Sequence, residues 1–179
     1  NVNPLVVFVL VNFITSLMKK RTALFSMTIG MLIIPFSALV MSFGNQIESD
    51  TILGMHPVAF MMIVGIAMQA IAECFISPRF LEYFSHQAPK GEEGLYLGFS
   101  HLHSFFSYLF AFGLSGYLLE EFLPNPRKFD SVEAYARATE HAHYIWYVFV
   151  GIGLISFIAL LIYGAVTRNI DRKKQIENA

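Results

Sequence analysis

Four stretches of this chain, 22–43, 57–77, 95–119 and 144–166, are each apolar over about twenty residues or more, and nothing else in the sequence limits the fold as strongly. A helix rises about 1.5 Å per residue, so roughly twenty residues cross the hydrocarbon of a bilayer. In lipid every backbone N–H and C=O must be satisfied internally, which leaves helices or a closed barrel. A fifth apolar stretch, 4–18, is shorter. The expected fold is all-α: a polytopic transmembrane helix bundle of five spans making one transmembrane region over 1–179, with an outer loop at 120–143 and a cytoplasmic tail at 167–179. The composition, 55% hydrophobic and 14% charged, is far from that of a soluble domain, so the lipid bilayer is the first partner.

The formal charge of −1 leaves no basic footprint for nucleic acid. Cys74 is the only cysteine, so the chain can build neither an intrachain disulfide nor a cysteine-based zinc site. No nucleotide-binding glycine motif, Gly-x-Ser-x-Gly or His-Glu-x-x-His arrangement is present, and the chain is not expected to be an enzyme. The opening NVNPLVVFVL enters a helix without the basic region of a signal peptide, and it reads as a cut end.

If the spans alternate in direction, Lys19, Lys20, Arg21, Arg79, Lys90, Arg168, Arg172, Lys173 and Lys174 fall on one side and only Arg127, Lys128 and Arg137 on the other. Basic residues accumulate in cytoplasmic segments. The expectation is a multi-pass protein of the cell (inner) membrane with its amino end outside and its carboxyl end in the cytoplasm. In the outer loop, Pro124 and Pro126 forbid a continuous helix, while Asp130 to Glu133 resembles a capping box opening a short helix through Arg137.

The third span carries the residues of greatest interest. Gln69, Glu73 and Ser77 recur every fourth position and stack on one helical face. A carboxylate at membrane depth costs a few kcal/mol even on the gentlest insertion scales, so Glu73 must face protein or water. Two readings stand: a binding group for a proton or substrate amine, or a structural hydrogen bond to a neighbouring helix. Pro78 removes a backbone donor, so the helix is expected to kink or end near Phe75 to Ser77, as a hinge or as a static bend.

On the fourth span Ser100, Ser104, Ser107 and Ala111 form a small-residue face with His103 at its edge, while His101 belongs to a second, aromatic face. That divergence argues against a two-histidine metal site, and no metal is expected. His103 is a candidate proton relay or a hydrogen-bonded packing residue. His141 and His143, followed by Trp146 and Tyr147, suit the polar mouth and aromatic belt of the last span.

Read together, NPLVVFVL at Asn3 to Leu10, the basic turn KKR, ECFISP at Glu73 to Pro78 and APKGEEGLYLG at Ala88 to Gly98 resemble the proton-coupled oligopeptide transporters of the major facilitator superfamily. That family shows Glu-x-x-x-Ser-Pro on its tenth core helix, an Ala-Pro-rich cytoplasmic turn, and Gly-Leu-x-x-Gly at the start of the eleventh. Glu73, Ser77, Pro78, Ala88, Pro89, Gly94, Leu95 and Gly98 match this pattern in order. The resemblance implies that the five spans are core helices eight to twelve, part of the carboxyl-terminal half of the fold, whose missing partners are helices one to seven. It also implies that Glu73 holds the substrate's amino terminus, that Asn3 contributes to the same site, and that Ser100 stands near a pocket tryptophan. Members carry Trp-Phe-Leu where this chain has Ser100-His101-Leu102, and Asn12 replaces a common proline. The implied function is secondary active transport by alternating access, a symport of small peptides or related amine and carboxylate solutes. The proton is the coupling ion and no other cofactor is implied. The alternative is a non-transporting structural or receptor subunit that keeps the fold.

Overall fold

The computed structural model describes residues 2–48 and 51–177, and among these it contains helices and no strand. Residues 178–179 of the expected tail lie outside the described residues. The helices are α1 (Val2–Met18), α2 (Ala23–Ser42), α3 (Pro57–Gln87), α4 (Glu93–Ser100), α5 (Leu102–Phe122), α6 (Val132–Ala138) and α7 (Tyr144–Glu177). Four helical segments, Ala23–Gln46, Pro57–Gln87, Glu93–Lys128 and Tyr144–Ile170, are long and apolar enough to cross a membrane, and Val2–Met18 is a shorter apolar helix. This is an all-α membrane helix bundle.

Local chemistry sets the helix starts. Thr22 accepts the Phe25 N–H on its hydroxyl at 3.3 Å and caps α2 directly after the basic turn. His56 caps α3 in the same way, its Nδ1 accepting the Val58 N–H at 3.3 Å, while Pro57 takes the first helical position, where no donor is needed. The short outer helix α6 begins one residue later than the capping-box pattern implies: Ser131 is the cap, its hydroxyl accepting the Ala134 N–H at 3.1 Å.

At the centre stands α2, which packs against both α3 and α7, while α1 packs against α3 from the other side. Close approach between α2 and α3 depends on glycine. A Cβ on Gly30 would lie 2.7 Å from the Ala72 carbonyl and 3.0 Å from Phe75 Cβ, and one on Gly65 would run into Met41 and stand 3.0 Å from the Ser37 carbonyl. On the far side, the buried Gly153 of α7 rests on Pro35 of α2. The serines buried on α2 hide their hydroxyls, Ser37 donating to the Ile34 carbonyl at 2.6 Å and Ser42 to that of Leu39 at 2.7 Å. By contrast α5 makes few contacts and turns most of its side chains outward, with Phe112 85% exposed.

Of the kink or end expected near Phe75 to Ser77, the structure excludes the end: α3 continues through Pro78 to Gln87. Pro78 removes only its own donor, the one the Cys74 carbonyl would have accepted. One residue on, Ser26 of α2 donates its hydroxyl to the Phe75 carbonyl at 2.9 Å and ties α2 to α3 beside the proline. The fourth span, expected as one helix over 95–119, is interrupted at His101. In an unbroken helix the Ser100 carbonyl would accept the Ser104 N–H. Instead it meets the Nδ1 of His103, and the Ser104 N–H turns to the His101 carbonyl at 3.0 Å. Side-chain competition for a backbone group has divided the helix.

Candidate functional site

Glu73 lies on the exposed side of α3, between the buried Ala72 and Cys74. Asn3 of α1 reaches across and donates from Nδ2 to Glu73 Oε2 at 3.2 Å. Asn3, Gln69, Glu73 and Ser77, with Ile34 and Ile76, line a cavity of about 310 Å³. Four of the residues singled out by sequence are thus brought to one place. Glu73 and Ser77 also face a larger cavity of about 720 Å³, which extends along α3 toward its carboxyl end.

The walls of the larger cavity come from α2, α3, α5 and α7 with His101 between α4 and α5. Leu24, Met27 and Met31 stand on α2, Ile76, Phe80 and Phe84 on α3, and Leu160 and Tyr163 on α7. His101, His103, Ser104 and Tyr108 form the remaining wall. Both histidines line this one cavity. Phe80 packs on His103 with ring centroids 4.9 Å apart, and Tyr83 and Tyr163 share a hydrogen bond of 2.6 Å between α3 and α7.

The Ser100 carbonyl can only accept, so His103 donates to it from Nδ1, and its Nε2 stands 3.4 Å from the Ser104 hydroxyl. No lysine or arginine lines the larger cavity among the described residues, so its one carboxylate, Glu73, sets the sign of its field. Among the described residues no group of three His, Cys, Asp or Glu side chains is placed to hold a metal ion.

Ser100 is placed elsewhere. It is 2% exposed, its hydroxyl donates to the Leu97 carbonyl at 2.7 Å, and it is not among the residues lining the cavity. Pro78 is half-buried within the continuous α3. Sequence reasoning missed Phe80, Tyr83, Phe84 and Tyr163. A signal existed in the continuation of the stripe from Glu73 and Ser77 to Phe80 and Phe84, at i, i+4, i+7 and i+11, but it is visible only if the helix is carried through Pro78.

The arrangement can bind a proton or a cationic group at Glu73, orient the carboxylate through Asn3, and hold an apolar body against aromatic rings. No curated protein and no solved structure matches the chain. The family model of the Major Facilitator Superfamily matches residues 4–178, and with that match spanning nearly all of its length the chain belongs to this superfamily of membrane transporters.

Proposed function

We propose that the protein is a proton-coupled secondary transporter that moves small peptides or related amine-bearing solutes in symport by alternating access, and that these helices correspond to core helices eight to twelve. The observation that carries this reading is the Asn3–Glu73 hydrogen bond at the edge of an open cavity. A carboxylate at that depth is costly unless its charge is used, and transporter sites lie near the bilayer midplane where alternating access exposes them to either side. Glu73 is the group that exchanges a proton or a substrate ammonium, Asn3 orients it, and Gln69 and Ser77 supply neighbouring polar contacts. The resemblance to the oligopeptide transporters supports the same assignment through Glu73, Ser77 and Pro78.

The test is uptake of labelled dialanine and simple amines into proteoliposomes containing the full-length protein under an inward proton gradient. Glu73→Gln keeps the shape and removes the titrating charge, so gradient-driven accumulation is expected to disappear while thermal stability is retained. Normal accumulation by Glu73→Gln removes Glu73 from the mechanism. Lost stability returns it to a structural role.

A further inference from the structure

We propose that the 720 Å³ cavity takes an amphipathic organic cation, its ammonium on Glu73 and its apolar body against the rings of Phe80 and Phe84. The proposal rests on the transporter reading for the identity of the site and narrows the class of solute that enters it.

Glu73, Ser77, Phe80 and Phe84 share one face of α3 and all line this cavity. At about 1.5 Å per residue, Phe80 lies about 10 Å and Phe84 about 16 Å along the axis from the carboxylate. The cavity is therefore polar at one end and aromatic at the other. Phe80 and Phe84 sit with centroids 4.8 Å apart, His103 packs on Phe80 at 4.9 Å, and Tyr163 meets Tyr83 at 6.5 Å. Such rings bury apolar surface and present electron-rich faces that attract cations.

Electrostatics favour the same class. Asn3 occupies Oε2 of Glu73 and leaves the second oxygen for a solute. An anionic or zwitterionic solute would bring a further negative charge into a cavity where no lysine or arginine among the described residues meets it. His103, its Nδ1 committed to the Ser100 carbonyl, brings no permanent cation that would offset that charge. The other titratable side chains on the walls are His101, Tyr83, Tyr108 and Tyr163, none of them a permanent cation.

Calorimetric titration of the full-length protein in lipid nanodiscs at pH 8 tests this with four probes: 4-phenylbutylammonium, n-butylammonium, 4-phenylbutyrate and zwitterionic dialanine. Saturable binding is expected for 4-phenylbutylammonium, with n-butylammonium about tenfold weaker or worse because it lacks the ring. Glu73→Gln and Phe80→Ala should each weaken 4-phenylbutylammonium by about tenfold. No saturable heat is expected from 4-phenylbutyrate, and dialanine is expected to bind more weakly than 4-phenylbutylammonium. Equal or tighter binding of either of these, or no saturable binding of 4-phenylbutylammonium, overturns the proposal. If a variant fails to fold, the ranking of the four probes on the unmodified protein decides the matter. A ranking led by dialanine sinks this inference and leaves the peptide-transporter reading standing. Loss of proton-driven uptake with the cation ranking intact does the reverse.

Discussion

Asn3 and Glu73 stand 70 positions apart in the chain and are joined by one hydrogen bond, 3.2 Å from Nδ2 to Oε2, that ties α1 to α3. The donor and acceptor are distinguishable, so a reciprocal exchange tests the pair. Asn3→Asp sets two carboxyl groups against each other and should cost more stability than Asn3→Ala, which only removes the donor. Adding Glu73→Gln to Asn3→Asp restores a donor–acceptor pair with the roles swapped. Thermal unfolding of the four proteins in a double-mutant cycle should give a coupling of about 1 kcal/mol, within the range for interhelical hydrogen bonds in membranes. Additive effects would mean that the two side chains do not interact.

Ser26 is expected to tie α2 to α3 beside Pro78. Its hydroxyl donates to the Phe75 carbonyl, one residue beyond the Cys74 carbonyl whose helical donor the proline removes. Ser26→Ala should lower stability by about 1 kcal/mol, as for other interhelical hydrogen bonds in membranes. Unchanged thermal unfolding of Ser26→Ala would show that this bond adds nothing to the packing.

How far the sequence disclosed this molecule can be judged from α3 and from the break at His101. The apolar run beginning at Pro57 announced a span, because bilayer thickness sets its length and burial sets its composition. Its continuation to Gln87 was hidden because Pro78 reads locally as a stop, although a proline removes only its own donor, here from the Cys74 carbonyl. With the end of α3 lost, Phe80, Tyr83 and Phe84 dropped out of the site, and the aromatic end of the cavity went unread. The break at His101 depends on which backbone carbonyl the His103 ring reaches, a choice made by a rotamer and invisible to periodicity. Glu73 was legible for a different reason: a carboxylate within an apolar span stands out in any register.

Gly30 should tolerate no side chain. The Cβ of Gly30→Ala would meet the Ala72 carbonyl at 2.7 Å and Phe75 Cβ at 3.0 Å, and the first of these is backbone that cannot turn aside. Separating α2 from α3 there should cost about 1–3 kcal/mol, as for other overpacked sites. Gly113→Ala on α5, where no atom lies within 4 Å of the added carbon, is the matched control and should be nearly neutral. Equal effects in unfolding measurements would contradict the packing described here.

The sidedness inferred from the basic residues predicts opposite labelling of two introduced cysteines. Cys74 is 3% exposed, so the native background should react little with an impermeant thiol reagent. Cysteine replacing Ser131 at the cap of α6 should be labelled from outside intact cells, and cysteine replacing Ser85 near the end of α3 should not. The reverse pattern would invert the orientation.

Arg79 poses the sharpest energetic question in α3. It is 6% exposed, its Nη1 pairs with Glu82 on the same helix, and its Nε and Nη2 are buried without a hydrogen-bond partner among the described residues. Burying unpaired donors of a charged group is costly, and replacing such a group by an apolar one of similar length is often neutral or stabilising. Arg79→Met should therefore leave thermal stability unchanged or raise it. Glu82→Gln should lower it, because the buried guanidinium then loses its counter-charge. The Glu82 side chain is 40% exposed, so solvent already screens the pair and the loss should be about 1 kcal/mol rather than the several expected for a fully buried one. If Arg79→Met proves more damaging than Glu82→Gln, the guanidinium owes its place to contacts other than Glu82, and the cost assigned to its unpaired donors is wrong.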